Sequence, residues 1–186
     1  MANVFDTIRL KAGDSERSVQ WYQAQVQKLG TINTNKLMRE GTLVNQIIPG
    51  QMYLFFYDPK FKDKLPFYDR FPLVLPFKRA PGGFYGLNFH YVPYLFRLRL
   101  LKFLSEYATD EKMDENTRVR ISWNIIEGAA RLKPLRACVK HYLNDHVETR
   151  FLKIPFTDWV VASQLPVERF VGAKKQEVWA ESRKYF

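Results

Sequence analysis

Prolines at 59, 66, 72, 76 and 81 cut residues 52–92 into short pieces, and each piece is dense in Phe, Tyr, Leu and Val. Pieces of that length are too short for a helix and too apolar for a solvated loop, so they read as strands. The spacing predicts strands over 52–57, 71–77 and 84–92. Pro72 and Pro76 suit an edge or a bulge in the second of these, because proline has no N–H to give a ladder. A tight turn is expected at 80–83, where Pro81 precedes Gly82 and Gly83. Gly86 permits a bend. The expected fold class is α+β: a small aromatic-rich β-barrel or sheet, SH3-like or OB-like, covered by helices. Three short strands alone are marginal, so the cover is obligatory.

Helical segments are available for it. Val19, Tyr22, Val26 and Leu29 recur at helical spacing over 14–29, with Asp14 or Ser15 as cap and Gly30 as stop. A connector with a short helix or strand follows over 31–49. A helix over 93–107 opens on Pro93; Leu95, Leu98, Leu101 and Phe103 or Leu104 are expected to face the core, while Arg97, Arg99 and Lys102 project elsewhere. A charged loop is expected at 110–116, and a strand passing into a helix at 118–131. Over 134–147, Leu135, Cys138, Val139, Tyr142 and Leu143 fall at i, i+3, i+4, i+7 and i+8, which predicts a helix. A strand at 150–156, a short helix at 157–163 with Trp159 inward, and an amphipathic helix from Pro166 through Trp179 complete the reading. No repeat or linker interrupts 1–186. The chain therefore reads as one domain: a helical arm (1–49), a β core (50–92), and a helical and C-terminal part (93–186).

The net charge of +10 is concentrated in the β core and the helix after it. Residues 51–105 hold Lys60, Lys62, Lys64, Arg70, Lys78, Arg79, Arg97, Arg99 and Lys102 against Asp58, Asp63 and Asp69. Cations interleaved with rings serve a nucleic-acid groove, where lysines meet phosphates and rings meet bases. They equally serve a protein interface, or a plain aromatic core with lysines outside. If DNA ends are the target, Lys60, Lys62, Lys64, Arg70, Lys78 and Arg79 are expected to form one contiguous face; they flank strand ends, so their loops can gather at one end of the sheet. Phe61 and Tyr68 are the rings expected at an interface there.

Catalytic signatures are absent. There is no Gly-x-Ser-x-Gly elbow, no cysteine-protease signature and no phosphate loop. Cys138 and His141 share a helical spacing, but His90 and His146 do not complete a metal set, and Cys138 reads as a buried core thiol. Asp58, Asp63 and Asp69 are close enough in sequence to hold a divalent cation for phosphodiester cleavage, yet they sit among lysines in turn-like contexts. The expectation is no catalytic residue, no metal, no cofactor and no small-molecule substrate. Apolar runs fall short of a membrane span, and no basic leader precedes an apolar stretch. The 93–107 helix is apolar nearly all round, unlike a membrane-surface helix.

The stretches MYLFFYDPK (52–60), LPFYDRFPLVLP (65–76) and GLNFHY (86–91), with DW (158–159) and LPVERF (165–170), resemble a family of small proteins of T4-like contractile-tailed bacteriophages. The resemblance is to a pattern of aromatics and prolines and carries no active-site motif. It implies a virion component made in the host cytoplasm. The main expectation is a non-enzymatic structural protein of the tail, baseplate or neck, with other phage structural proteins as partners. The alternative is a basic DNA-binding protein such as a DNA end protector.

Replacing Cys138 with Ala is expected to cost stability only, about 1 kcal/mol or somewhat more. Chemical denaturation set beside a functional assay checks this. Lost function at intact stability would reveal a chemical role for the thiol.

Overall fold

Each proline-cut piece finds partners far away in the sequence. The computed structural model describes residues 4–13, 17–108, 114–131 and 133–184. Strands β1 (Leu43–Val44), β2 (Met52–Leu54), β4 (Leu73–Ala80), β5 (Gly83–Asn88), β6 (Val139–Leu143) and β7 (Phe151–Ile154) form one six-stranded antiparallel sheet in the order β1-β7-β2-β4-β5-β6. Strands β3 (Tyr68–Asp69) and β8 (Phe170–Val171) pair separately. The sheet is open, with β1 and β6 at its edges, so the architecture is α+β without closure into a barrel.

Pro76 shows how a proline is tolerated in a central strand. It stands opposite Gly86, and the register shifts between Pro76 and Lys78. On its other side β2 has already ended, because β2 pairs only with Leu73 and Val74. The Pro76 carbonyl instead accepts the Gly50 N–H at 2.7 Å. The bulge is present and the edge position is not. Gly86 is required at this crossing, since a Cβ there would lie 2.3 Å from Val74 Cγ1.

The strand period separates two cores. On one face Met52, Leu54, Leu73, Leu75, Leu87, Leu152 and Ile154 join the helices in a single cluster. On the other, Tyr53, Phe55, Tyr57, Val74, Phe84, Tyr142 and Phe151 form an aromatic cluster, with Val44, Ile47 and Val147 packed beside it. Phe55 makes edge contacts with Tyr142 and Phe151 at centroid distances of 5.3 and 5.1 Å.

The helices are α1 (Val4–Ala12), α2 (Val19–Lys28), α3 (Thr34–Glu40), α4 (Tyr94–Ala108), α5 (Glu115–Ala129), α6 (Lys133–Arg136), α7 (Trp159–Gln164) and α8 (Lys175–Arg183). Asp14 and Ser15, expected to cap α2, lie outside the described residues; the cap is Ser18, whose hydroxyl accepts the Trp21 N–H. The 31–49 connector contains both α3 and β1. Of the loop expected at 110–116, residues 110–113 lie outside the described residues, while Asp114 caps α5 by accepting the Thr117 N–H and Asn116 is already helical. Residues 118–129 are therefore helical from the start, with no strand: Ser122 and Ile126 recur on the buried face.

Three further expectations change. The helix at 134–147 shrinks to α6, and residues 139–143 become β6. The same apolar positions fit both periods, and the free edge of β5 supplies hydrogen bonds that decide for the strand. The last helix starts at Lys175 rather than Pro166, because residues 170–171 pair with β3 first. The third strand stops at Asn88, where the side chain accepts the His90 N–H and turns the chain into a 3-10 segment over 89–91.

The largest surprise in packing is Arg97. Expected to project outward, it is 0% exposed. Its Nε, Nη1 and Nη2 donate to the carbonyls of Val92, Ser163 and His90 at 2.7, 3.1 and 2.8 Å. The guanidinium lies 5.2 Å from the Tyr94 ring and 5.1 Å from the Trp179 ring. Burial pulls its pKa down to about 10, which leaves it charged at neutral pH. Leu101 and Leu104 are buried as expected, whereas Leu95 and Phe103 are exposed.

Replacing Arg97 with Met keeps the bulk of the side chain but leaves the Val92 and Ser163 carbonyls without this donor, takes one of two donors from the His90 carbonyl, and removes the cation from beside the Tyr94 and Trp179 rings. We expect a loss of about 3 kcal/mol or more. A shifted denaturant midpoint at unchanged slope checks it; a change below about 1 kcal/mol would contradict the role given to this side chain.

Candidate nucleic-acid interface

Residues 57–69 leave the sheet and return to it as a loop whose root is tied and whose tip is exposed. At the root, the Tyr57 N–H donates to the Arg70 carbonyl at 3.0 Å, and the Tyr57 hydroxyl accepts the Leu143 N–H at 3.1 Å. The Asp58 N–H donates to the His146 carbonyl at 3.0 Å. Lys62 closes the first turn on Asp58 at 2.8 Å, and residues 62–64 form a 3-10 turn. This hydrogen bond holds the Asp58 carboxyl below its ordinary pKa and the Lys62 ammonium above its own.

Asp69 anchors the returning end. Its Oδ1 accepts the N–H groups of Phe71 and Arg169 at 3.0 and 3.1 Å. Its Oδ2 lies 2.7 Å from His90 Nδ1 and also accepts from Asn88 Nδ2 at 3.4 Å. An ionised carboxylate only accepts, so Nδ1 carries the proton of that contact. Burial raises the Asp69 pKa, but the electrostatic effect of the adjoining His90 imidazole and these hydrogen bonds outweigh it, and the net shift is downward. Asn88 Nδ2 also donates to the Tyr142 hydroxyl at 3.1 Å, which joins the network to the aromatic core.

Between this loop and edge strand β6 lies a cleft of about 330 Å³. Phe61, Phe67, Tyr68 and Tyr91 contribute rings to it, Lys60 and Lys140 contribute basic groups, and His141 lies in the β6 segment that borders it. Phe61 is 58% exposed at the rim, with Lys60 Nζ 5.6 Å from its ring centroid. Lys140 Nζ sits 4.1 Å from the Tyr91 centroid, and burial lowers its pKa. His141 stacks on Tyr85 at 4.7 Å.

The structure therefore gathers some of the expected contact residues and separates others. Lys60, Phe61 and Tyr68 line one cleft, with Lys62 and Lys64 on the adjoining exposed turn. Arg70 pairs with Glu148 at 3.0 Å. Arg79 lines a second cleft of about 600 Å³ with Asn45, Gln46, Asn144 and Thr149. Lys78 stands opposite Tyr85, on the sheet face away from Arg79. The single face expected for all six cations is thus divided, because successive residues of a strand point to opposite sides. Lys140, His141 and Tyr91 escaped the sequence reading. Lys140 and His141 were assigned to a helix, although Val139 to Leu143 is also a short β-favouring run.

The candidate metal and carboxylate groupings do not assemble. Cys138 is buried, with its pKa pushed up to about 11 by burial, while His141 is exposed on the strand edge. Asp58 is paired with Lys62, and Asp69 is enclosed with His90. No group of three or more His, Cys, Asp or Glu residues positioned to hold a metal ion occurs among the described residues. No helix among them is long and apolar enough to cross a membrane.

A family model described as Phage T4 terminal DNA protecting protein matches residues 6–183, and the chain belongs to that family. No curated protein and no solved structure matches. The T4-like phage resemblance read from the aromatic and proline blocks therefore stands. The match supports the DNA-end alternative over the tail or baseplate reading.

Because the Asp69 pKa is depressed in the fold, its contribution to stability is full above the unfolded value of about 3.9 and is lost as pH falls through the folded value. We expect Asp69→Asn to remove that acid dependence and to cost about 3–5 kcal/mol at neutral pH. Denaturation midpoints measured from pH 7 down to 3 check both. An identical pH profile in the two proteins would contradict the assignment.

Proposed function

We propose that this protein caps the ends of linear double-stranded phage DNA and shields them from end-directed nucleases by occupancy, without catalysing a reaction. The observation that carries this reading is the family match across residues 6–183. The net charge of +10 supports it, as does the exposed turn bearing Lys60, Lys62 and Lys64.

On this reading the three lysines of the turn face phosphates near the terminus. Each phosphate neutralised releases condensed counterion, so affinity falls as salt rises. The turn is a good place for such contacts, since its backbone is held at the root while its side chains stay in solvent. The cleft next to it lies within reach of the last base pair. The phage particle and the host cytoplasm are the places where the protein meets such ends.

Two measurements test this. Linear duplex incubated with the protein is expected to survive a double-strand exonuclease that degrades it when bare; unprotected ends would overturn the proposal. The log–log dependence of affinity on salt is expected to flatten by about three units when Lys60, Lys62 and Lys64 are all changed to Glu. Stability should hold, because exposed lysines contribute little to it. An unchanged slope would remove these residues from the contact.

A further inference from the structure

The cleft between the 57–69 loop and β6 combines features that phosphate contacts alone do not require. At about 330 Å³ it is near the lower limit for small-molecule pockets, about 300 Å³, and far too small for a duplex. Lys140 reaches into it over the Tyr91 ring and forms no ion pair among the described residues. Asp69 is the one carboxylate among the described residues of the lining, and its oxygens are already engaged by His90, Asn88 and two backbone N–H groups. A cation held in an aromatic wall with no counter-ion among the described residues presents a site for an anion. Beside it, Phe61 holds an apolar ring in solvent at the rim. An exposed ring next to such a cation matches the two chemistries of one nucleotide: a flat π-face and a phosphate.

We infer that this cleft receives the terminal nucleotide of a DNA strand, with its base against Phe61 and its phosphate at Lys60 and Lys140. The inference rests on the end-capping reading and explains how an end is told from the interior of a duplex. An internal base is stacked on both sides and must be unpaired and flipped before it enters a pocket of this size. A terminal base has one stacking neighbour and frays, so its transfer costs least. Lys62 and Lys64, outside the cleft, bind phosphates anywhere along DNA, whereas a one-nucleotide cleft is filled only at an end.

The test is direct binding, by fluorescence anisotropy, to three probes of equal length. One is a blunt duplex, one carries abasic sugars at both terminal positions, and one is a dumbbell whose ends are closed by hairpin loops. The inference predicts that the abasic probe binds about tenfold or more weakly than the blunt duplex, the loss of one base–ring stack. It predicts that Phe61→Ala abolishes this difference by weakening only the blunt duplex. Phe61 is largely exposed, so the variant is expected to fold, and the abasic probe leaves the protein unaltered in any case. Lys140→Gln is expected to weaken the blunt duplex more than the dumbbell.

Equal affinity for blunt and abasic ends, with the dumbbell still bound weakly, would overturn the nucleotide site and leave end capping intact. A dumbbell bound as tightly as the open duplex would overturn both. A base preference that survives Phe61→Ala would place the base elsewhere and overturn the assignment.

Discussion

His90 is fully buried, and both an anion and a cation are fastened to it. Its ring meets the Asp69 carboxylate, while its carbonyl accepts from the Arg97 guanidinium and from Trp179 Nε1. Burying one ion without a partner is prohibitive; burying two is possible when both are held by several hydrogen bonds. The 3-10 segment at 89–91 supplies those partners, and so it joins pieces that strand pairing alone leaves separate. Asp69 brings the end of the 57–69 loop and, through the Arg169 N–H, the approach to β8. Arg97 brings α4, the Ser163 carbonyl brings α7, and Trp179 brings α8. The loop that carries the candidate DNA contacts is therefore held by the same network that holds the helical layer.

This arrangement divides the aromatic residues by role. Most of the rings in residues 51–105 are structural: Tyr53, Phe55 and Phe84 pack on one face of the sheet, and Phe71, Phe77 and Phe89 on the other. The plain reading of the aromatic stretch, a core with cations outside it, holds for them. Phe61 and Phe103 are the exposed exceptions among these, and Phe61 is so because the turn over 62–64 carries the chain away from both cores. Function on this account depends on a small remainder of rings and lysines left over once the sheet is packed.

The division explains what the sequence revealed. Strands near 52–57, 71–77 and 84–92 were legible because proline and glycine mark their ends by backbone geometry, which is local. The bulge at Pro76 was legible for the same reason. Strand β6 was not, since its pattern fits either period and the choice depended on the distant edge of β5. Arg97 was not legible either: its burial rests on the Ser163 carbonyl and the Trp179 ring, both remote in sequence. Lys60, Phe61 and Tyr68 line one cleft because they share one loop, which the sequence alone makes legible. Arg70 reaches Glu148 and Arg79 lines the second cleft, placements that depend on a remote partner and on the strand period. Lys140 and Tyr91 joined the cleft only through the pairing of β6.

The location of DNA contact is the central claim, and backbone hydrogen exchange tests it most directly. The account predicts that open-ended duplex slows exchange in residues 58–68 and 139–143, and that a closed circle of the same sequence does so far less. Slowed exchange confined to α4 and α5, or to the second cleft around residues 45–47 and 79–84, with 58–68 unchanged, would contradict it.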